Sequence, residues 1–155
     1  MPRGAERFES AALEAGLELE IRRFHEGTRT AADAARAVGC EIGQIVKSLV
    51  FMGGAEPFLA LTSGPNRADP ERLADLVGVP VRRADADEAR AATGYAIGGT
   101  PPFGHPRPLR VFVDRDLMGY DVLWAAAGAP DAVFPITPET LLRLSGARPA
   151  DFRER

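Results

Sequence analysis

The chain has 155 residues, 45% hydrophobic and 26% charged, with a formal net charge of −3. That length predicts one domain over residues 1–155 with a core of its own, and the negative balance argues against an extended phosphate-gripping face and against DNA as a partner. The lone cysteine, Cys40, excludes an internal disulfide and a cysteine-built zinc site, while the absence of an apolar leader or a bilayer-length apolar run leads us to expect a cytoplasmic protein with no membrane partner.

Residues 5–15 predict an amphipathic helix with Phe8, Ala12 and Ala15 on one side. Residues 17–24, LELEIRRF, alternate apolar and charged and predict a half-buried strand. Thr30 is placed to cap a second helix, with Asp33 in the capping-box position and Gly39 as the stop. Residues 45–52 and 57–64 are apolar runs that predict two buried strands, and GGAE between them signals a hairpin. Asp69 and Pro70 open a helix that Gly78 closes, and DADEARAATG predicts another before Gly94. LRVFVD, DVLWAAA and AVFPI predict three more strands. Thr137, Pro138 and Gly146 then frame a last helix. Helices and strands mix without a strict βαβ rhythm, so the expected class is α+β, a mixed sheet flanked by helices.

Lys47 is the one lysine beside 18 arginines. Lysine offers a compact ammonium with rotatable donors and a pKa that burial shifts. Its strand position shares a face with Ile45, Leu49 and Phe51, and a lysine in apolar company calls for an anion or a cleft. Snorkelling to water across an open sheet face is the alternative. The paired arginines Arg22-Arg23 and Arg82-Arg83 supply local charge, although such pairs are commonly plain solvated surface.

Between Tyr95 and His105 lies the stiff loop YAIGGTPPFGH. Gly98 and Gly99 present bare backbone amides, Thr100 adds a hydroxyl, and Pro101 and Pro102 stiffen the wall. Such a cradle suits an oxyanion, ribose or carboxylate. No Walker or Gly-x-Gly-x-x-Gly spacing is present. His25 and His105 lack metal-site spacing and no nucleophile elbow accompanies them. Cys40 reads as a small hydrophobe. Ser63 and Asn66 sit in the polar turn TSGPNRAD, which serves either a ligand or a helix cap. The set is one lysine, an amide-bearing loop and no strong general base. It suits an activated substrate that brings part of its own catalyst.

HEGTRTAADAARAVGCEIGQIVKSLVF, followed by IGGTPPFGH, resembles the YbaK family, which includes the editing domain of bacterial prolyl-tRNA synthetases and free-standing relatives. The resemblance covers almost the whole chain. It implies a trans-acting deacylase that hydrolyses the ester of a mischarged tRNA carrying a small amino acid such as Ala, Ser, Cys or Thr. It implies catalytic roles for Lys47, Gly98 and Gly99. The substrate-binding residues expected with them are Thr30, Ser63, Asn66 and Thr100, then Pro101, Pro102, Gly104 and His105. Many family members carry serine where this chain has Pro101. The implied partners are the 3′ acceptor end of an aminoacyl-tRNA and an aminoacyl-tRNA synthetase; no cofactor and no metal are called for. A non-catalytic binder of aminoacyl-adenylate-like ligands, or a synthetase partner, remains the alternative.

Overall fold

A computed structural model describes residues 4–24 and 30–155. The expectation for His25 therefore lies outside the described residues. The elements in chain order are α1 (Gly4–Glu14), β1 (Arg22–Arg23), α2 (Ala31–Val38), β2 (Ile45–Gly53), β3 (Glu56–Ser63), α3 (Pro70–Val77) and β4 (Val81–Arg83). They continue with α4 (Ala86–Thr93), β5 (Arg110–Asp114), β6 (Leu123–Ala126), β7 (Ala132–Ile136), α5 (Pro138–Ser145) and β8 (Arg148–Ala150). Single 3-10 turns precede β2 and follow β5.

The strands form one mixed sheet in the order β1-β7-β6-β2-β3-β5-β8, with β4 also paired to β2. This is the mixed α+β architecture expected. The β2–β3 hairpin is antiparallel from Val46↔Ser63 to Gly53↔Glu56. The pairs β2–β6, β3–β5 and β5–β8 are parallel. One sheet face carries Val46, Val50, Leu59, Leu61, Val111 and Val113 against α1, α4, α5 and the Tyr95–Phe103 loop. Phe8, Phe103 and Phe134 pack edge to tilted face there, with centroids 5.1–6.1 Å apart. The opposite face buries Phe51, Phe58, Ala60 and Phe112 under Leu73 of α3 and Phe152. On that same side α2 covers Ile45 with Ala34 and Ala35.

Local chemistry sets the helix ends. The side chains of Thr30, Asp69, Asp85 and Thr137 each accept a first-turn backbone N–H. The reciprocal capping box forms at Asp85–Glu88, whereas Asp33 of α2 turns instead to Arg36 at 2.8 Å. The expected strand over 17–24 pairs only at Arg22–Arg23, with β7. Leu17, Leu19 and Ile21 pack on the main core without ladder partners, so their alternation marks burial rather than pairing. The short strands β4 and β8 carry no pattern of their own and exist because β2 and β5 offer edges to them.

Candidate functional site

The edge of β2 that faces away from β3 is not paired along its whole length. Its ladder to β6 ends at Val46↔Ala125, and its ladder to β4 begins at Phe51↔Arg83. Between them the sheet is split. The slit opens into a cavity of about 500 Å³, a size usual for small-molecule sites. Lys47 and Ser48 of β2 line it. So do Arg83 of β4, Gly98 and Thr100 of the stiff loop, and Thr30 at the start of α2.

Lys47 is half-buried, and its Nζ donates to the backbone carbonyl of Asn66 at 2.5 Å. Burial pushes its pKa below that of an ordinary lysine. The neighbouring charges of Arg83 and Arg67 push the same way, and the Asp114 carboxylate opposes them. Asn66 is held in turn. Its Nδ2 donates to Asp114 and to Asp116, each at 2.8 Å. Asp114 is 2% exposed and also accepts the Ser63 and Asp116 backbone N–H groups. Lys47 thus stands at the end of a chain of satisfied hydrogen bonds anchored on a buried carboxylate, an arrangement that fixes its ammonium in space.

The loop contributes less evenly than its sequence suggests. Gly98 has φ +88 and is exposed to the cavity, and no acceptor takes its N–H among the described residues. The Gly99 N–H is already given to the Ala96 carbonyl at 3.0 Å, and a Cβ on Gly99 would lie 2.9 Å from the Ala129 Cα. Gly99 is therefore small because another backbone passes close by, and the available amide is that of Gly98. Thr100 is buried and its hydroxyl donates to Ala96 at 3.2 Å.

Of the residues singled out in the sequence, Thr30, Lys47, Gly98 and Thr100 meet at the cavity. The Thr30 hydroxyl is occupied as the cap of α2. Ser63 is buried and donates to the Gly43 carbonyl at 2.7 Å. Asn66 buttresses Lys47. Pro101 and Pro102 are buried behind the loop. Gly104 packs against Ala11 and Phe8, and a separate shallow depression beside α1 holds it together with His105. His105 Nε2 lies 2.8 Å from the Pro101 carbonyl, and burial lowers the ring's pKa. These last residues shape the loop from behind.

Two residues at the cavity escaped the sequence reading. Arg83 belongs to a pair that resembles solvated surface; its neighbour Arg82 is held in a bidentate pair with Glu88 at 2.7 Å, whereas the Arg83 guanidinium lies over the Phe51 ring, 5.6 Å from its centroid. The other is Ser48, adjacent to Lys47 and masked by the apolar run around it. No carboxylate, imidazole or thiol lines the cavity among the described residues. No group of three or more metal-binding side chains gathers among them either. Cys40 does not line the cavity but packs behind its wall against Ala34, Ala35 and Ile45, its thiol donating to the Glu41 carbonyl at 3.3 Å and its pKa raised by burial.

The site is thus a split mixed sheet with a cationic rim and an amide-bearing loop. The profile of the aminoacyl-tRNA editing domain matches residues 25–144, and the chain belongs to that family. A solved structure described as "Crystal structure of a putative trans-editing enzyme for prolyl tRNA synthetase" is 47% identical, with a TM-score of 0.94 over 100% of this chain and 99% of that one. YwhH of Bacillus subtilis is 28% identical over 83% of this chain and 82% of its own. The Enterococcus faecalis protein named "Putative Cys-tRNA(Pro)/Cys-tRNA(Cys) deacylase EbsC" is 27% identical over 83% of this chain and 79% of its own.

Proposed function

We propose that this protein is a trans-acting aminoacyl-tRNA deacylase that removes a small, wrongly attached amino acid from the 3′ end of a tRNA. The observation that carries the reading is the meeting, at one cavity of about 500 Å³, of Lys47, Arg83 and a Gly98 amide that has no acceptor among the described residues. The family membership and the names of the relatives support the same class.

In this reading the terminal adenosine enters with its phosphate toward Lys47, Arg83 and Arg67. The Lys47 ammonium exchanges the Asn66 carbonyl for substrate oxygen, and the Asn66–Asp114 chain keeps it aimed. Water attacks the ester carbonyl. The Gly98 N–H takes the developing oxyanion, and the bond to the ribose oxygen breaks. Among the described residues no side-chain base lines the cavity, and in this reading the proton passes from water through the neighbouring ribose hydroxyl to the leaving oxygen. The products are the free amino acid and an uncharged tRNA. The domain's part is chiefly orientation and charge stabilisation.

That no side-chain base lines the cavity among the described residues also favours a second reading, a binder of aminoacyl-adenylate-like ligands without turnover. Turnover separates the two. Purified protein is incubated with tRNAs carrying Ala, Ser, Cys, Thr or Pro on matched and mismatched bodies, with Lys47→Ala as control. Selective release that needs Lys47 is expected. Failure to release any amino acid rejects the deacylase reading in favour of the binder.

A further inference from the structure

The Oγ of Ser48 is buried and has no hydrogen-bond partner among the described residues. Buried hydroxyls are normally satisfied, and an orphan costs stability that a fold has no structural reason to bear. This orphan lies at the slit. The Val50 carbonyl accepts the Ala84 N–H at 3.0 Å, so Val50 directs its main-chain groups toward β4. By the two-residue period Ser48 directs its own N–H and C=O the same way. There it meets neither ladder, because β6 has ended at Val46 and β4 has not begun until Phe51. One residue therefore brings an orphan hydroxyl to the cavity, with its main-chain groups lying outside both ladders. The walls around it are small and apolar: Val46, Val50, Ala89 and Ala125.

We infer that Ser48 reads the side chain of the aminoacyl group and selects one that is small and bears a hydroxyl, so that the substrates are seryl or threonyl esters rather than alanyl. This rests on the deacylase reading above. A hydroxyl both donates and accepts, so it answers Oγ and one main-chain group of Ser48 together. It carries no charge, which fits a cavity whose rim already holds Lys47 and Arg83. A methyl in the same place leaves Oγ unanswered. Sites built to bond a substrate hydroxyl reject the analogue lacking it far better than apolar pockets sort by size.

The test compares seryl-tRNA with 2-aminobutyryl-tRNA, which replaces the hydroxyl by a methyl at nearly constant shape. Wild type is expected to favour the seryl ester by about tenfold or more in kcat/KM, the scale of one well-placed neutral hydrogen bond. Ser48→Ala is expected to bring the ratio close to one without lowering the Tm, since it removes an orphan rather than a bond. Equal rates in wild type, or a seryl preference that survives Ser48→Ala, overturn the role of Ser48. A lowered Tm in Ser48→Ala shows the hydroxyl to be structural and overturns it too. Calorimetry with the non-hydrolysable 3′-seryl-amido and 3′-(2-aminobutyryl)-amido adenosines gives the same comparison without turnover. If the seryl form binds preferentially while no tRNA is deacylated, the deacylase reading fails and the hydroxyl recognition stands. If deacylation proceeds with no such preference, the reverse holds.

Discussion

The two edges of β2 are opposites. Toward β3 it is zipped without interruption from Val46 to Gly53. Toward the other side it meets β6 for two residues, then nothing, then β4 for three. The same strand is thus scaffold on one edge and site on the other. Its side chains follow suit: Phe51 is sealed in the core, whereas Lys47 and Ser48 are half-buried at the gap. A lapse in pairing lets a central strand bring polar groups to a ligand without leaving the core.

The comparison predicts where substitutions will act on chemistry and where on folding. The largest effect on activity is expected from Lys47→Ala, with kcat/KM falling at least ~100-fold, the scale of losing one charge-stabilising donor, while the melting curve stays cooperative. Lys47→Arg should rescue little, because a planar fork does not replace a point ammonium in a narrow slit. Gly99→Ala attacks the scaffold side: its Cβ has the Ala129 backbone at 2.9 Å, and we expect about 1–3 kcal/mol of lost stability by denaturant titration.

A subtler test lies in pH. Burial holds the Lys47 pKa below the ordinary lysine value. Deacylation above the uncatalysed rate should therefore decline at a lower alkaline pH than an exposed lysine would give. Stability should move the other way. Between the lowered folded pKa and the unfolded one the unfolded chain binds more protons, so this group's contribution rises as pH climbs through that window. Asp114→Asn removes the charge that supports the ammonium, and should shift the activity limb to still lower pH. An unshifted limb would detach the Asp114–Asn66 chain from Lys47. The smallest effect is expected at Cys40, which packs behind the cavity wall without lining it: Cys40→Ser should leave kcat/KM unchanged and stability within about 0.5 kcal/mol.

Much of this was legible in the sequence, for definite reasons. Caps such as Asp69-Pro70 and Thr137-Pro138 are local chemistry, and the helices begin where those residues stand. Lys47 was conspicuous because it interrupts an apolar run. What escaped was non-local. The strand β4 is three residues long and receives its conformation from β2, so nothing in VRR announced that Arg83 would border a cavity. Ser48 is an ordinary residue in an ordinary strand until the absence of a neighbour gives it meaning. Gly99 read as a free amide in the sequence; its N–H is given to the Ala96 carbonyl, and the Ala129 backbone that demands a small residue there lies on a loop thirty residues further along the chain.

The bidentate Arg82–Glu88 pair, with both bonds at 2.7 Å, fastens β4 to the first turn of α4 just beyond the slit. It acts as a lintel. Because β4 can engage β2 only in steps of two residues if Arg83 is to keep facing the same way, the aperture beneath it changes by about 7 Å at a time. The opening is therefore a ruler with coarse divisions, set by register rather than by any one side chain. Substitutions inside the cavity then tune recognition within a width that the sheet has already chosen.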